Sequence, residues 1–475
     1  MALKGMIWSA TGRIAGQAGQ FVISIVLARL LMPEDFGLIG MLSIFIAISQ
    51  GFVDSGMGSG LIQKKDRTEV DFSTVFIFNL VVSSTFYLLL FASAPLIAQF
   101  YDKPQLINLT RVLSLNIVIN ALALVQRSRL RIKVDFKTIA KVDVIAMICS
   151  GGIAILFALL GFGVWALVIQ NIIRSVTSAL LLWFMERWRF SIVFSKKSFK
   201  DLFGFGSKLL ISGLVARIMQ NIYNIIIGKV YSASELGFYT RGRSFSELTA
   251  GTVSSILNQV TYPILASIQD DKARLVSVYS RLIRMTSFLI FPAMTMLALL
   301  ADPFIMLFLT EKWAPAIVLL QWMSFAWIFN PISAINLNIL NSIGRSDLFM
   351  KVDLSKVPIV LIALLITVPI SIKAVVIGNV ITHCIAFFIN AYMPGKLFGY
   401  GPISQLKDMV PVFFATGIMA LTVFMVVNFI DNHALKLIIG GLVGVLTYIL
   451  MSYILKINEL EEVKGLFTKI RNGKE

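Results

Sequence analysis

Long apolar stretches, broken by short polar hinges, run from about residue 10 to residue 455 of this chain. Most are about 20 residues long, the length a helix needs to cross the hydrocarbon core of a bilayer. A window of about 19 residues gives about fourteen spans. They are 10–31, 37–60, 73–100, 106–126, 142–161, 164–185, 205–230, 236–262, 283–309, 315–340, 355–372, 374–394, 408–430 and 434–455. The shortest hinges are Gly161-Phe162-Gly163 and the stretch around Lys373. The apolar runs are continuous, as in Val75–Phe100 and Ala434–Leu455. A transmembrane β-barrel would instead alternate apolar and polar residues over ~10-residue segments. Helices are the remaining way to satisfy the backbone in lipid. The expected fold class is an all-α integral membrane protein with about 14 transmembrane helices.

Composition agrees. Hydrophobic types make up 57% of the 475 residues and charged types 14%, against roughly 25% charged in a soluble domain. The net charge of +17 would suggest nucleic acid in a soluble protein. Its distribution along this chain supports a duller explanation. Loops after even-numbered spans carry Lys64, Lys65, Arg67; Arg127, Arg129, Arg131, Lys133, Lys137; Arg187, Arg189, Lys196, Lys197, Lys200; Lys272, Arg274; Arg345, Lys351; Lys396 and Lys407. Loops after odd-numbered spans hold little beyond Lys103, Lys312, Lys373 and Lys436. The positive-inside rule then puts both termini in the cytoplasm, and no nucleic-acid partner is needed. The first apolar run contains Gln17 and Gln20 and lacks a small-residue cleavage site, so it reads as a retained helix. Cys149 and Cys384 both fall in apolar runs, and only His383 and His433 are available as imidazoles. A disulfide framework and a metal site are therefore not expected.

The two halves repeat. Arg29 and Gly37 recur 200 residues later as Lys229 and Gly237, and Asp35-Phe36 becomes Glu235-Leu236. Lys141-Val142-Asp143 recurs 210 residues later as Lys351-Val352-Asp353, and Asn120 matches Asn330 at the same spacing. Each lobe then has six spans, an even number, so both enter the membrane from the same side. The repeat is parallel, about an axis along the membrane normal. The expected domains are residues 1–185 (spans 1–6), a basic linker 186–201, residues 202–395 (spans 7–12), and 396–475 holding spans 13 and 14 and a tail. Trp188, Phe190, Ile192 and Phe194 among Arg and Lys suggest that the linker lies on the anionic leaflet.

Charges inside spans are costly and usually face a cavity or a partner. The basic ones are Arg111, Arg174, Lys208, Arg217, Arg241 and Arg243, with Arg29 and Lys229 at span ends. The acidic ones are Asp54, Glu247 and Asp143. A cavity lined in this way attracts an anion, and guanidinium groups suit phosphate through bidentate hydrogen bonds. Each residue also has a plainer role. Arg29 and Lys229 can snorkel to the interface, and Arg243 with Glu247 can neutralise each other on one helix. Arg174 and Arg217 lie deeper, where the cavity reading is preferred. Asp54 suits a salt bridge first, then a coupling cation or a glycine-bent helix end. Gln17, Gln20, Gln220, Asn221 and Asn224 recur at corresponding places in spans 1 and 7, either as interhelical glue or as contacts to sugar hydroxyls. There is no Gly-x-x-x-x-Gly-Lys loop and no His-Glu-x-x-His, so neither a nucleotide nor another cofactor is expected.

These residues also carry a family resemblance. Ala28-Arg29-Leu30-Leu31-Met32-Pro33-Glu34-Asp35-Phe36-Gly37-Leu38 resembles the opening of the polysaccharide exporters of the multidrug/oligosaccharidyl-lipid/polysaccharide (MOP) superfamily. So do Asp54-Ser55-Gly56, Leu61-Ile62-Gln63-Lys64-Lys65-Asp66 and Ala94-Pro95-Leu96-Ile97-Ala98-Gln99-Phe100-Tyr101. The resemblance is to the colanic acid exporter and lipopolysaccharide biosynthesis flippases. It implies two six-helix lobes in a V, open alternately to each side, plus two C-terminal helices. It implies transfer of an undecaprenyl-diphosphate-linked oligosaccharide from the cytoplasmic to the periplasmic leaflet of a bacterial inner membrane. A Na+ or H+ gradient or the membrane potential would drive the step. Partners would be the lipid-linked substrate, membrane lipids, and a polymerase or other export-pathway proteins. No bond is broken, so the chain is not expected to be an enzyme. Two alternatives remain: a cation-coupled multidrug exporter of the same superfamily, which the basic interior argues against, and a polytopic glycan polymerase or ligase, which the short outer loops argue against.

Overall fold

The structure, a computed structural model, describes the backbone of residues 2–54 and 56–471. It describes the side chains of residues 16–54, 56–204, 210, 213–214, 216–254, 261 and 264–465. The helices, in chain order, are α1 (Ala2–Leu30), α2 (Pro33–Asp54), α3 (Met57–Gln63), α4 (Glu69–Tyr101), α5 (Leu106–Leu113), α6 (Leu115–Ile132), α7 (Phe136–Leu159), α8 (Val164–Glu186), α9 (Lys196–Val230) and α10 (Ala233–Ser267). They continue as α11 (Lys272–Leu299), α12 (Ala301–Phe308), α13 (Pro315–Trp327), α14 (Asn330–Ser342), α15 (Ser346–Ser355), α16 (Val357–Thr367), α17 (Ile372–Phe398), α18 (Pro402–Asn428), α19 (His433–Ile454) and α20 (Asn458–Arg471). Each of the fourteen expected spans falls on helix, and the fold is all-α. Among the described residues, ten helical segments are long and apolar enough to cross a membrane.

Helix ends differ from the apolar spans for a consistent reason. Hydropathy registers the part of a helix that sits in lipid, whereas the cap residues lie in the polar flanks. Thr68 caps α4, with Asp71 returning a bond to the Thr68 N–H at 2.8 Å. Asp135 caps α7 and Asp271 caps α11, so these helices start six and eleven residues earlier than the spans at 142 and 283. The hinge expected in the stretch around Lys373 falls at residues 368–371. Lys373 lies in the first turn of α17, and the turn precedes Ser371, whose side chain caps that helix. Span 2 is also not one rod. Gly56, at φ 69°, breaks it between α2 and α3.

The repeat is visible in local geometry. α1 ends at Leu30 and α9 at Val230; α2 starts at Pro33 and α10 at Ala233. Val134 and Gly344, 210 residues apart, both have positive φ. The bonds around them match. Val134 N–H donates to Arg131 and Asp135 N–H to Leu130, while Gly344 N–H donates to Asn341 and Arg345 N–H to Leu340. This is the same helix C-terminal closure made twice.

By packing, the chain forms two compact units, residues 1–237 and 238–475. α9 belongs with the first because it packs along α2, α3 and α4. Packing and repeat thus divide the chain at different places. In unit 1, Glu186 is almost fully buried and binds both Arg129, at 2.8 Å, and Lys133, at 2.7 Å. The linker does not lie wholly on a surface, as its composition suggests. Trp188 is buried against Phe76 and donates to Glu69 at 2.7 Å. Ser191 and Ser195 N–H groups bond Ser73 and Thr74 of α4, and Ile192 stays exposed.

Unit 2 has a buried polar knot. The Gln405 amide donates to the Tyr279 hydroxyl at 2.9 Å and accepts from Asn336 at 3.2 Å, and the Tyr279 hydroxyl donates to Asn336. All three side chains are fully buried, which ties α11, α14 and α18 together. Further out, Arg284 joins Asp408 of α18 and Glu459 of α20. Replacing Gln405 with Leu strands the buried Asn336 Nδ2 and is expected to cost about 2 kcal/mol. Thermal unfolding of the detergent-solubilised protein checks this. An unchanged midpoint would contradict it.

Candidate functional site

α2 and α9 run side by side, joining a helix of the first repeat to the one that opens the second. Their shared seam, within unit 1, is polar. Arg217 sits about 20 Å along α9 from its Val230 end, at 1.5 Å per residue. Its Nη2 donates to Asp54 Oδ2 at 2.7 Å and its Nη1 to the Ala47 carbonyl at 3.0 Å. Gln50, one turn before Asp54, donates to Asp54 Oδ1 at 3.2 Å. Gly51 makes room for this arrangement. A Cβ there would lie 3.3 Å from Arg217 Cδ and 2.9 Å from Leu214, so the guanidinium stem lies flat on the α2 backbone.

The seam continues one turn at a time towards the Val230 end. Asn221 Nδ2 donates to the Arg217 carbonyl at 2.9 Å, and Asn221 Oδ1 accepts from Ser43 at 3.3 Å. Asn224 Nδ2 donates to Ser43 at 3.1 Å. Asn224 is buried, and its Oδ1 has no hydrogen-bond partner among the described residues. Arg217, Asn221 and Asn224 follow the three- and four-residue spacing that puts side chains on one helical face. The Arg217–Asp54 pair is only part-buried, with side chains 32% and 45% exposed.

Beyond the seam, the helices close at a crossing. A Cβ on Gly37 would lie 1.7 Å from the Ala233 carbonyl oxygen, and one on Gly237 would lie 1.9 Å from the Pro33 carbonyl oxygen. Gly37 and Gly237 are repeat mates, and so are Pro33 and Ala233. The first turns of α2 and α10 thus meet symmetrically, each glycine against the other's helix start. Lys103–Glu34 at 2.7 Å and Lys229–Asp102 at 3.2 Å lie at nearby helix ends and are exposed, so they contribute little.

The other sequence candidates are spread more widely. Arg174 on α8 is exposed and donates to Gln20 of α1 at 3.0 Å. Arg111 lies over the Phe91 ring, 4.4 Å from its centroid. Asp143 pairs with Arg127 at 2.7 Å. Arg29 is exposed in the last turn of α1, Gln17 is half-buried on α1, and Gln220 is exposed on α9. The Lys208 side chain lies outside the described residues. In unit 2, Arg241 is half-buried on α10, and Arg243 pairs with Glu247 one turn away at 3.4 Å. Sequence reasoning missed Ser43, Gln50 and Gly51. Gln50 had a readable signal, a polar residue four positions from Asp54 inside an apolar span.

Chemically, among the described residues, the seam offers a guanidinium with spare donors, amides and a hydroxyl. That set suits a phosphorylated, hydroxyl-rich ligand. Among the described residues, no group of three or more His, Cys, Asp or Glu side chains could hold a metal ion.

Comparison with known proteins gives the family and the fold. The sequence matches the family described as polysaccharide biosynthesis protein over residues 26–318. It is 25% identical over 348 residues to the teichuronic acid biosynthesis protein TuaB of Bacillus subtilis (strain 168), covering 73% of this chain and 72% of that one. It is 22% identical over 356 residues to the lipopolysaccharide biosynthesis protein WzxC of Escherichia coli (strain K12), covering 74% and 72%. The structure is similar to that of the lipid II flippase MurJ in an inward closed conformation, with a TM-score of 0.76 and 17% identity, covering 95% of this chain and 98% of that one. At that identity the likeness is one of fold.

Proposed function

We propose a transport function from one premise: the chain belongs to the polysaccharide biosynthesis protein family. Its cargo is an undecaprenyl-diphosphate-linked oligosaccharide repeat unit for a surface polysaccharide (O-antigen, capsule or exopolysaccharide). The chain carries it from the cytoplasmic to the periplasmic leaflet of a bacterial inner membrane, with both termini in the cytoplasm. It does so by alternating access between the two repeats, and no covalent step is involved. The observation that carries this reading is Arg217 in mid-helix, set in a seam of amides and hydroxyls where α2 meets α9. Arg217 receives the diphosphate, and Asn221, Asn224 and Ser43 suit the sugar hydroxyls. A polar seam also fits a surface that parts and rejoins, because water or sugar hydroxyls can replace its bonds when it opens. An ion gradient or the membrane potential supplies the drive, and the polymerase and other export proteins take up the delivered unit.

Deleting the gene tests the cargo class. The expected result is loss of one surface polysaccharide, with lipid-linked repeat units accumulating on the cytoplasmic side, both restored by the wild-type chain. Unchanged surface glycan together with lowered drug tolerance would overturn the reading in favour of a multidrug exporter.

A further inference from the structure

Arg217 has five N–H donors. Two are engaged among the described residues, one by Asp54 and one by the Ala47 carbonyl. The rest leave room for a second acceptor alongside Asp54. Asp54 is itself held from both sides, by Arg217 on Oδ2 and by Gln50 on Oδ1. It is the last residue of α2, next to the break at Gly56. A carboxylate there can turn away from Arg217 without unwinding the helix interior. The pair is part-exposed, so neighbouring side chains do not enclose it on every side.

A carboxylate and a phosphate present the same face to a guanidinium: two oxygens that accept parallel N–H bonds. From this we propose that Asp54 is an internal stand-in for the ligand's phosphate. It neutralises Arg217 while the site is empty, gives way when the diphosphate arrives, and returns to the guanidinium as the diphosphate leaves. Asp54 therefore sets how tightly the anion is held and how readily it is let go. Gly51 is part of the device, because it keeps the Arg217 stem flat on α2 within reach of both acceptors. The inference rests on the proposed diphosphate-bearing cargo. Without a competing carboxylate, a free guanidinium would bind the head group tightly in both conformations, and tight binding in both states slows a transporter rather than speeding it.

Two measurements test it. In the first, undecaprenyl diphosphate in detergent micelles is titrated into the full-length protein by calorimetry, with inorganic pyrophosphate as a competing probe. Asp54→Asn and Asp54→Ser are each expected to bind at least 10-fold more tightly than wild type, while glycan export falls at least 10-fold. The second uses wild type alone, so it stands even if both variants fail to fold. A carbodiimide labels free carboxylates, and mass spectrometry reads the label at Asp54. Adding undecaprenyl diphosphate is expected to raise that labelling several-fold.

The outcomes separate the two claims. If wild type binds the lipid, folded Asp54 variants bind it no more tightly, and Asp54 labelling does not rise, the stand-in role is overturned and the cargo reading stands. If wild type binds neither undecaprenyl diphosphate nor pyrophosphate, the cargo reading falls, and this inference falls with it.

Discussion

Gly37→Ala is expected to stop glycan export, and Gly237→Ala to stop it equally. A real Cβ essentially never sits closer than 3.0 Å to another heavy atom, yet these would lie 1.7 and 1.9 Å from backbone carbonyl oxygens. No rotamer relieves such a clash, because both partners are main chain, so the first turns of α2 and α10 must move apart. Overpacking a tight contact costs up to about 3 kcal/mol in ordinary cores. The same cost here shifts the balance roughly 100-fold against the closed crossing. A transporter that cannot close one end cannot complete its cycle. The two variants should behave alike because the positions are repeat mates. Gly152→Ala is the control: a Cβ there meets nothing within 4 Å, and export should stay within about 2-fold of wild type. Surface polysaccharide per cell, measured in a deletion strain carrying each variant, reads the result. Normal export from Gly37→Ala would show that the crossing is not part of the transport cycle.

Arg217→Gln carries the second large effect. Glutamine keeps some of the length and hydrogen bonding but removes the charge that would meet the diphosphate. Losing one charge-assisted contact to a phosphate is worth about 3 kcal/mol, or roughly 100-fold in export. Arg217→Lys keeps the charge and loses the planar fork, so it should fall between, about 10-fold down. The variant leaves Asp54 without its guanidinium partner, and Gln50 still donates to it. Arg345 is a useful contrast. Its pair with Asp347 is local and exposed, and Arg345→Gln should export normally. Equal loss in both variants would mean that export responds to general charge rather than to the seam.

Much of the fold was legible because lipid imposes one simple rule, a long apolar helix, on almost every segment. The Gly161–Gly163 hinge could be read because glycine tolerates positive φ, and both glycines adopt it. The break between α15 and α16 was not read, although Pro358 in the first turn of α16 cannot donate to the helix before it. The site was legible only as a set of residue types. Arg217 and Asp54 stand out as charges in apolar spans. Their pairing depends on how α2 and α9 are rotated, and 163 positions of sequence do not encode that directly. Gly37 and Gly237 stand out as repeat mates. A repeat establishes equivalence rather than proximity, so their meeting at one crossing appears only in three dimensions.

The central claim is that this chain moves a diphosphate-linked glycan across a bilayer using Arg217. Purified protein in liposomes with fluorescent undecaprenyl-diphosphate oligosaccharide tests it most directly, with a membrane-impermeant quencher reporting which leaflet the label occupies. Wild type should carry label between leaflets, and Arg217→Gln, melting at the wild-type temperature, should carry roughly 100-fold less, the loss expected from one missing phosphate contact. Equal translocation by the two proteins, or none by wild type under every imposed ion gradient and potential, would contradict the account.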